Sequence, residues 1–205
     1  MARLSDSDRR TIEATIRDVE RSTSAEFVAV VARRIDRHHA TSLAAGLTAA
    51  LIGGLAFAIF DPWAPIALAL ITQCFAFTLV YAVCELTPLA ARLAPRRARE
   101  MKTRRMARLV FLDRGLGSLS ARNGVLLLVA LAERQVEIIA DDGIDQLAGT
   151  AEWRRIVDRF AATARTGPIA AALETAIRDL GEVLTRHFPA APGKSNQIPD
   201  RLIEL

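Results

Sequence analysis

The sequence predicts a mixed α/β domain that is interrupted by a two-helix transmembrane hairpin. Charged residues make up 24 % of the 205 residues, yet Asp61 and Glu85 carry the only charges between residues 40 and 91. Two short apolar runs, 26–31 and 124–130, lie on either side of this stretch and have the composition of buried strands. Because 51 % of the residues are hydrophobic, the composition excludes a chain that is disordered as a whole.

The first predicted elements are a helix and a strand. Ser5 and Asp8 have the spacing of a helix cap, and apolar residues then recur at helical spacing over 12–19. The triplet 22–24 ends this helix. The run 26–31 is apolar apart from its first residue, as expected for a strand that is covered on both faces.

Two uncharged stretches, 40–60 and 63–84, come next and are 21 and 22 residues long. Each is long enough to cross the hydrocarbon core of a bilayer as a helix, which takes roughly 20 residues. Asp61 and Pro62 break the helix between them, and Trp63 suits the membrane interface. Four residues mark these predicted transmembrane segments: Leu43, Phe60, Trp63 and Cys84.

A hairpin buried in a soluble core is the alternative interpretation of these stretches. The 153 residues outside 40–91 are too few to wrap two fully apolar helices, which favours the membrane. Gly46, Gly53 and Gly54 on the first span predict that the two helices approach each other closely.

The charges that flank the hairpin predict its orientation. Residues 33–39 carry three arginines against Asp36, and residues 92–114 carry nine basic residues against Glu100 and Asp113. The short loop between the spans has no basic residue. Since basic flanks stay in the cytoplasm, we expect a two-span protein of the inner membrane with both termini in the cytoplasm.

A basic helix is predicted from Pro95 to about Leu112, with Ala98, Met101, Leu109 and Leu112 on one side. Its position directly after a span favours contact with anionic lipids, worth about 1 kcal/mol per basic residue, over a nucleic-acid partner. The helix also sets the topology. The basic residues expected to contact lipid are Arg96, Arg97, Arg99, Lys102, Arg104 and Arg105.

The remaining chain predicts two strands and two helices. The strand 124–130 is followed by a turn at 133–134 and by a half-exposed strand over 135–140, after which Asp141, Asp142 and Gly143 form a turn. Two amphipathic helices follow, one around Trp153 to Ala164 and one from Ile169 to Leu184. The tail after Pro189 is predicted to be loose until the segment from Ile198 to Leu205.

The lone strand 26–31 has to pair with the strands in 124–140, because an isolated strand leaves its backbone groups without hydrogen bonds. An even number of spans returns the chain to the same side of the membrane and permits this pairing. The predicted boundaries are 1–39 and 92–188 for the two parts of the domain, 40–91 for the hairpin and 189–205 for the tail.

Several segments together resemble the TPM domain family: 111–117, 122–130 with Asn123-Gly124 before an apolar strand, 134–144 with an acidic glycine-containing end, and 24–31. The resemblance covers most of residues 5–188 outside the hairpin, and the chain is identified as a bacterial, membrane-anchored member. It implies an α/β/α sandwich. Family members are linked to photosystem repair in thylakoids, weak acid phosphatase activity, divalent metal binding and modulation of a membrane receptor.

The sequence departs from the family pattern at two points. Family members usually carry a signal peptide and present the domain outside the cytoplasm, whereas the basic flanks here favour the inside. Many members also have Asp or Asn before the Asn-Gly pair, where this chain has Arg122. A cation at that corner opposes metal binding.

Few residues suggest chemistry. The candidate ligands for Ca²⁺ or Mg²⁺ are Asp141, Asp142, Asp145 and Glu26, because hard cations bind several carboxylate oxygens; a solvated turn is the alternative. The histidines lack metal-ligand spacing, and Cys74 and Cys84 suit packing within the second span. We therefore predict a non-catalytic binding or accessory module for another membrane protein; the alternative is a divalent-metal-dependent phosphatase.

Overall fold

A computed structural model describes residues 4–63, 65–119, 121–190 and 202–205. The chain forms two compact units. The α/β unit comprises residues 1–33, 103–130 and 135–205, and the hairpin unit comprises residues 34–102 and 131–134.

The helices of the described residues, in chain order, are α1 (Asp6–Ser22), α2 (His39–Phe60), α3 (Ile66–Leu86), α4 (Leu89–Leu93), α5 (Arg96–Asp113), α6 (Asp142–Thr166) and α7 (Ile169–His187). A short 3₁₀ helix spans Leu116–Ser118. The strands are β1 (Glu26–Ala32), β2 (Gly124–Ala130), β3 (Gln135–Ala140) and β4 (Ile203–Glu204).

The α/β unit contains a four-stranded sheet with the strand order β3-β2-β1-β4. β1 runs parallel to β2, with Glu26 opposite Gly124 and Ala32 opposite Ala130, and β3 is antiparallel to β2. The predicted pairing of the first strand with the strands in 124–140 is therefore confirmed. Every residue of β1 and β2 is buried, so both faces of these strands are covered, whereas β3 is half-exposed as predicted.

Helices supply much of the cover for this sheet. α1 begins at the predicted cap, where the Ser5 hydroxyl accepts from the Asp8 backbone N–H at 3.1 Å and the Asp8 carboxylate accepts from the Ser5 backbone N–H at 3.0 Å. α1 packs against α7, which in turn packs against α6. Gly181 of α7 allows the close approach, because a Cβ there would lie 2.5 Å from a methyl group of Val19.

The structure adds two features of the helices that the sequence did not indicate. α6 begins at Asp142, about three turns before Trp153, and has a kink at Gly149, where φ is +75°. In α5 the buried residues are Thr103, Ala107, Val110 and Phe111, whereas Met101, Leu109 and Leu112 are exposed. The buried stripe contains a threonine and an alanine, so a search for large apolar side chains selects the opposite side of this helix.

The hairpin unit contains α2 and α3, which pack along each other on either side of the break at Asp61. Gly46 of α2 lies against Phe77, because a Cβ at this position would be 2.9 Å from the ring; Gly54 lies against Gln73. Both helices are long and apolar enough to span a membrane. Cys84 is buried in α3, Leu43 and Phe60 are exposed on α2, and Trp63 is 94 % exposed in the connection.

Candidate functional site

The acidic residues predicted as metal ligands lie at one edge of the sheet in the α/β unit. Glu26 begins β1 and Gly124 begins the parallel strand β2, while Asp141 directly follows the antiparallel strand β3. These three positions are therefore neighbours along the same edge. Backbone hydrogen bonds connect them: Glu26 donates to the Asn123 carbonyl at 3.0 Å and Asp141 donates to the Gly124 carbonyl at 2.9 Å.

Asp141 is the most constrained side chain of this edge. It is buried and caps α6, with its Oδ1 accepting from the Asp142 backbone N–H at 2.8 Å and from Arg122 Nη1 at 3.3 Å. Its second oxygen, Oδ2, is buried and has no hydrogen-bond partner in the described part of the chain. Gly143 closes the corner, since a Cβ there would be 2.5 Å from the Arg122 carbonyl oxygen. The Arg122 cation thus compensates the buried carboxylate.

The other acidic residues do not converge on Asp141. Asp145 accepts a hydrogen bond from Trp153 Nε1 at 2.9 Å, and Asp142 is exposed in the first turn of α6. Glu26 is buried two strands away, which corresponds to roughly 10 Å at the usual strand spacing. Within the described ranges, no three His, Cys, Asp or Glu side chains form a group that could hold a metal ion. The residues as placed do not fit a shared Ca²⁺ or Mg²⁺, and metal binding stays a prediction.

Asn123, directly before β2, has a structural role that the sequence did not indicate. Asn123 Nδ2 donates to the Ser24 carbonyl at 2.6 Å, which ties the start of β2 to the loop before β1. Arg122 takes a left-handed backbone conformation with φ of +49°. Residues 122–124 therefore position the edge on which Glu26 and Asp141 lie.

A second polar cluster lies in the hairpin unit, at the start of α2. Glu133 is fully buried, and its Oε1 accepts from the backbone N–H of Ile35 at 3.1 Å and of Asp36 at 3.3 Å. His38 Nε2 lies 3.3 Å from the same oxygen, and this histidine is itself buried in a left-handed conformation with φ of +55°. Arg99 Nη1 donates to the Glu133 carbonyl at 2.9 Å.

Arg34 links the ends of the two apolar helices. Its guanidinium donates to the carbonyls of Glu85 at 3.2 Å, Asp36 at 3.0 Å and Arg37 at 2.6 Å, so it satisfies a carbonyl in the last turn of α3. His39 Nδ1 lies 3.1 Å from Glu85 Oε1. In the sequence Arg34 is only a topology signal, because its partner Glu85 is distant in the chain and no local pattern could reveal the contact.

An ion pair between Lys102 and Asp36 completes the cluster. The hydrogen bond from the Lys102 ammonium lowers the pKa of the Asp36 carboxyl below its ordinary value, and burial only partly opposes this effect. The loop 34–38 is therefore held by two charged side chains, Lys102 of α5 and Glu133 in the turn 131–134.

Four of the six residues predicted to contact anionic lipid already have protein partners. Arg96 pairs with Glu100 at 2.7 Å and Arg104 with Glu137 at 3.6 Å, in addition to the contacts of Arg99 and Lys102. Arg97 and Arg105 are exposed. Arg108, Leu109 and Leu112 are also exposed. Lipid contact stays a prediction, with Arg97 and Arg105 as the best-placed of the six.

The chain has a mixed α/β fold, in which helices cover a four-stranded sheet. A helical hairpin is inserted between β1 and β2. Residues 93–183 match the family model of the TPM domain. The resemblance to the TPM domain family is therefore confirmed for this part of the sequence. The match includes β2 and β3 but begins after α1, β1 and the apolar helices.

A solved structure has the same fold. The NMR structure of the BA42 protein from the psychrophilic bacterium Bizionia argentinensis superposes with a TM-score of 0.62 at 16 % sequence identity. The similarity covers 100 % of this chain and 97 % of that chain. At this identity the likeness shows the fold alone. No curated protein matches the chain.

Proposed function

We propose that this chain is a membrane-anchored TPM domain protein that acts as a binding or accessory module for another membrane protein. The observation that carries the proposal is the exposed apolar surface of α2 and α3. Side chains such as Leu51, which is 73 % exposed, and Phe75, which is 67 % exposed, project from helices that contain almost no buried residues. A soluble protein rarely exposes an apolar surface of this size, whereas lipid covers it without cost.

The proposed location is the cytoplasmic face of the inner membrane. The charges support it, because the sequences next to both apolar helices are rich in arginine and the connection around Trp63 contains no basic residue. The cluster of Arg34, His38 and Glu133 also provides a fixed polar base for the start of α2. In this arrangement the α/β unit is presented to cytoplasmic segments of the partner.

Binding without catalysis is supported by the way the acidic corner is occupied. Asp141 is paired with Arg122, and Asp145 accepts a hydrogen bond from Trp153, so each carboxylate already has a side-chain partner. One observation favours the alternative, a metal-dependent phosphatase: Asp141 Oδ2 is buried and lacks a hydrogen-bond partner among the residues that the structure describes.

Membrane anchoring is tested by extraction of the full chain from isolated membranes with alkaline carbonate. We expect the chain to stay in the pellet, while a peripheral control protein is released. Appearance of the chain in the supernatant would contradict the anchor. A reporter that is active only outside the cytoplasm, fused after Leu205, should remain silent; its activity would reverse the proposed orientation.

The accessory role is tested in native membranes with a photo-crosslinking residue in place of the exposed Phe75. We expect a discrete adduct with another membrane protein, and none from the buried control position Leu127. Failure to obtain an adduct from several exposed positions of α2 and α3 would argue against a partner within the membrane.

The enzyme alternative is tested with the detergent-purified chain and a phosphate ester in the presence of Ca²⁺ or Mg²⁺. We expect no turnover above that of the Asp141→Asn/Asp142→Asn variant. Metal-dependent turnover that this variant loses would establish the phosphatase and reject a purely accessory role.

A further inference from the structure

The outer edge of β1 is occupied by a very short strand. β4 lies parallel to β1 in the α/β unit, and its two residues are the only ones in the described part of the chain that form a ladder with this edge. The Leu205 N–H donates to the Val31 carbonyl at 3.0 Å, and the Arg33 N–H donates to the Leu205 carbonyl at 2.9 Å. The edge is therefore capped by backbone hydrogen bonds from the segment 202–205.

The side chains of this segment make contacts that select a sequence pattern. Leu202 is buried, with 4 % of its surface exposed, and Glu204 Oε1 lies 2.7 Å from Arg9 Nη2 on α1. Ile203, which lies between Leu202 and Glu204 in the sequence, is half-buried. The β1 edge thus accepts an extended segment in which an acidic residue follows apolar ones.

Without this segment β1 would be an edge strand with open N–H and C=O groups. All seven residues of β1 are buried and its other side is paired with β2 along its full length, so the strand itself is firmly held. Such an edge is a template for the addition of a strand from another protein, in which backbone hydrogen bonds give affinity and side-chain contacts give specificity.

We propose that the edge of β1 is a binding site for an extended segment of a partner protein, with an acidic residue after a buried apolar one, and that residues 202–205 are its internal occupant. The segment has the features of a detachable ligand, because it is held only by a two-residue ladder, the backbone hydrogen bonds of Leu205, the buried Leu202 side chain and one ion pair. This inference requires neither membrane insertion nor a metal ion.

An internal occupant lowers the apparent affinity for a partner by competition. A tethered segment acts at an effective concentration in the millimolar range, so a partner binds only the fraction of molecules in which the segment has left the edge. Weakening the internal segment should therefore increase the affinity for an external peptide of the same sequence.

The test uses the full chain in detergent micelles and a fluorescein-labelled synthetic peptide with the sequence of residues 199–205. The Leu205→Pro chain loses the N–H that donates to the Val31 carbonyl. We expect fluorescence anisotropy to show at least tenfold tighter peptide binding by this variant than by the wild-type chain. The same peptide with Leu205→Pro should bind neither chain.

Charge reversal provides a second arm that leaves the backbone ladder unchanged. The Arg9→Glu chain should bind the peptide carrying Glu204→Arg at least tenfold more tightly than the unmodified peptide. Arg17→Glu is the matched control on the exposed surface of the same helix and should keep the wild-type preference. If circular dichroism shows that the Leu205→Pro chain does not fold, the charge-reversal experiment alone tests whether the β1 edge binds the peptide.

Three outcomes would overturn the proposal. One is equal binding of the labelled peptide by folded Leu205→Pro and wild-type chains, and another is equal binding of both peptides by the Arg9→Glu chain. The third is a wild-type dimer that exchanges residues 202–205 between copies and excludes the peptide, because the occupant would then be a second copy of this chain.

Discussion

The two units of the molecule use apolar residues in opposite ways. In the α/β unit the apolar strands β1 and β2 are buried at every position. In the hairpin unit the apolar helices α2 and α3 bury little beyond Ser42, Gly46 and Cys84. These strands and helices are all mainly apolar, so the difference lies in the length and period of each segment.

Length explains much of this contrast. A strand of seven residues reaches about 23 Å and pairs its backbone groups with neighbouring strands, which bring a core with them. A helix of 22 residues reaches about 33 Å, satisfies its own backbone groups and needs no neighbour to enter lipid. In the proposed arrangement, apolar side chains on the second kind of segment face lipid, and those on the first kind form a protein core.

Truncation of a core side chain should produce the largest effect. Leu127 of β2 is fully buried, so Leu127→Ala should lower the free energy of unfolding by about 3–5 kcal/mol through lost transfer energy and a residual cavity. Chemical unfolding in detergent measures this. The matched change Leu51→Ala in the exposed surface of α2 should cost less than about 0.5 kcal/mol; equal losses at the two positions would remove the distinction between the units.

A charge introduced into the apolar surface of the hairpin should have the opposite pattern of costs, with a large effect in the hairpin unit and a small one in the α/β unit. Leu51→Arg is expected to raise the apparent insertion free energy of α2 by about 3 kcal/mol, because lipid does not solvate the guanidinium. The assay compares glycosylation-tagged spans that insert with those that do not. Leu147→Arg, at an exposed position of α6, should leave the stability of the α/β unit within about 0.5 kcal/mol. A tolerated arginine at residue 51 would indicate that water covers α2.

Replacement of single glycines by alanine should distinguish close from loose packing between α2 and α3. Gly46→Ala places a methyl group 2.9 Å from the Phe77 ring and should destabilise the α2–α3 pair by about 1–2 kcal/mol. At Gly53 a Cβ would have ordinary contact at 3.8 Å with Ala76, so Gly53→Ala should be neutral or slightly stabilising. The midpoint of an SDS titration followed by Trp63 fluorescence measures both; a lower midpoint for Gly53→Ala than for Gly46→Ala would be the wrong order.

The smallest effect is expected from the pair of Asp36 and Lys102. Because folding lowers the pKa of Asp36, its carboxylate stabilises the fold above the ordinary aspartate pKa of about 3.9, and this contribution is lost as the pH falls through the lower folded pKa. Both side chains are about two-fifths exposed, so Asp36→Asn should cost only about 0.5 kcal/mol at pH 7.

Thermal unfolding between pH 3 and pH 7 measures the pH dependence of this contribution. The difference between the wild-type chain and the Asp36→Asn variant should shrink below about pH 4 and also in high salt. A difference that grows as the pH falls would contradict the assigned direction.

The sequence predicted the elements whose signal is local. The cap at Ser5 and the break at Asp61 follow from neighbouring residues, and the bounds of β2 and β3 follow from continuous patterns. The pairing of β1 with β2 followed from the need to satisfy the backbone of an isolated strand. The start of α6 was missed because the run at 141–143 has the composition of a turn, although Asp141 acts there as a helix cap.

The sites were less predictable than the elements. The sequence identified the acidic residues near Asp141, but the distance to Glu26 and the pairing with Arg122 depend on strand order and on the backbone of the corner. β4 has two residues and no periodic pattern, so the sequence set the segment 198–205 apart from the loose tail but did not indicate a strand. Its position depends on the open edge of a strand about 170 residues earlier in the chain.

By itself, the sequence determined two apolar helices of membrane-spanning length and the arginine-rich segments beside them, because length and charge are properties of a continuous segment. It also determined the strands of the TPM domain through their apolar runs. Tertiary structure alone decided that Glu133, in a turn, is buried against His38 and that residues 202–205 cap β1. These contacts join residues far apart in the chain, and burial of a polar group follows from its partners rather than from its neighbours in sequence.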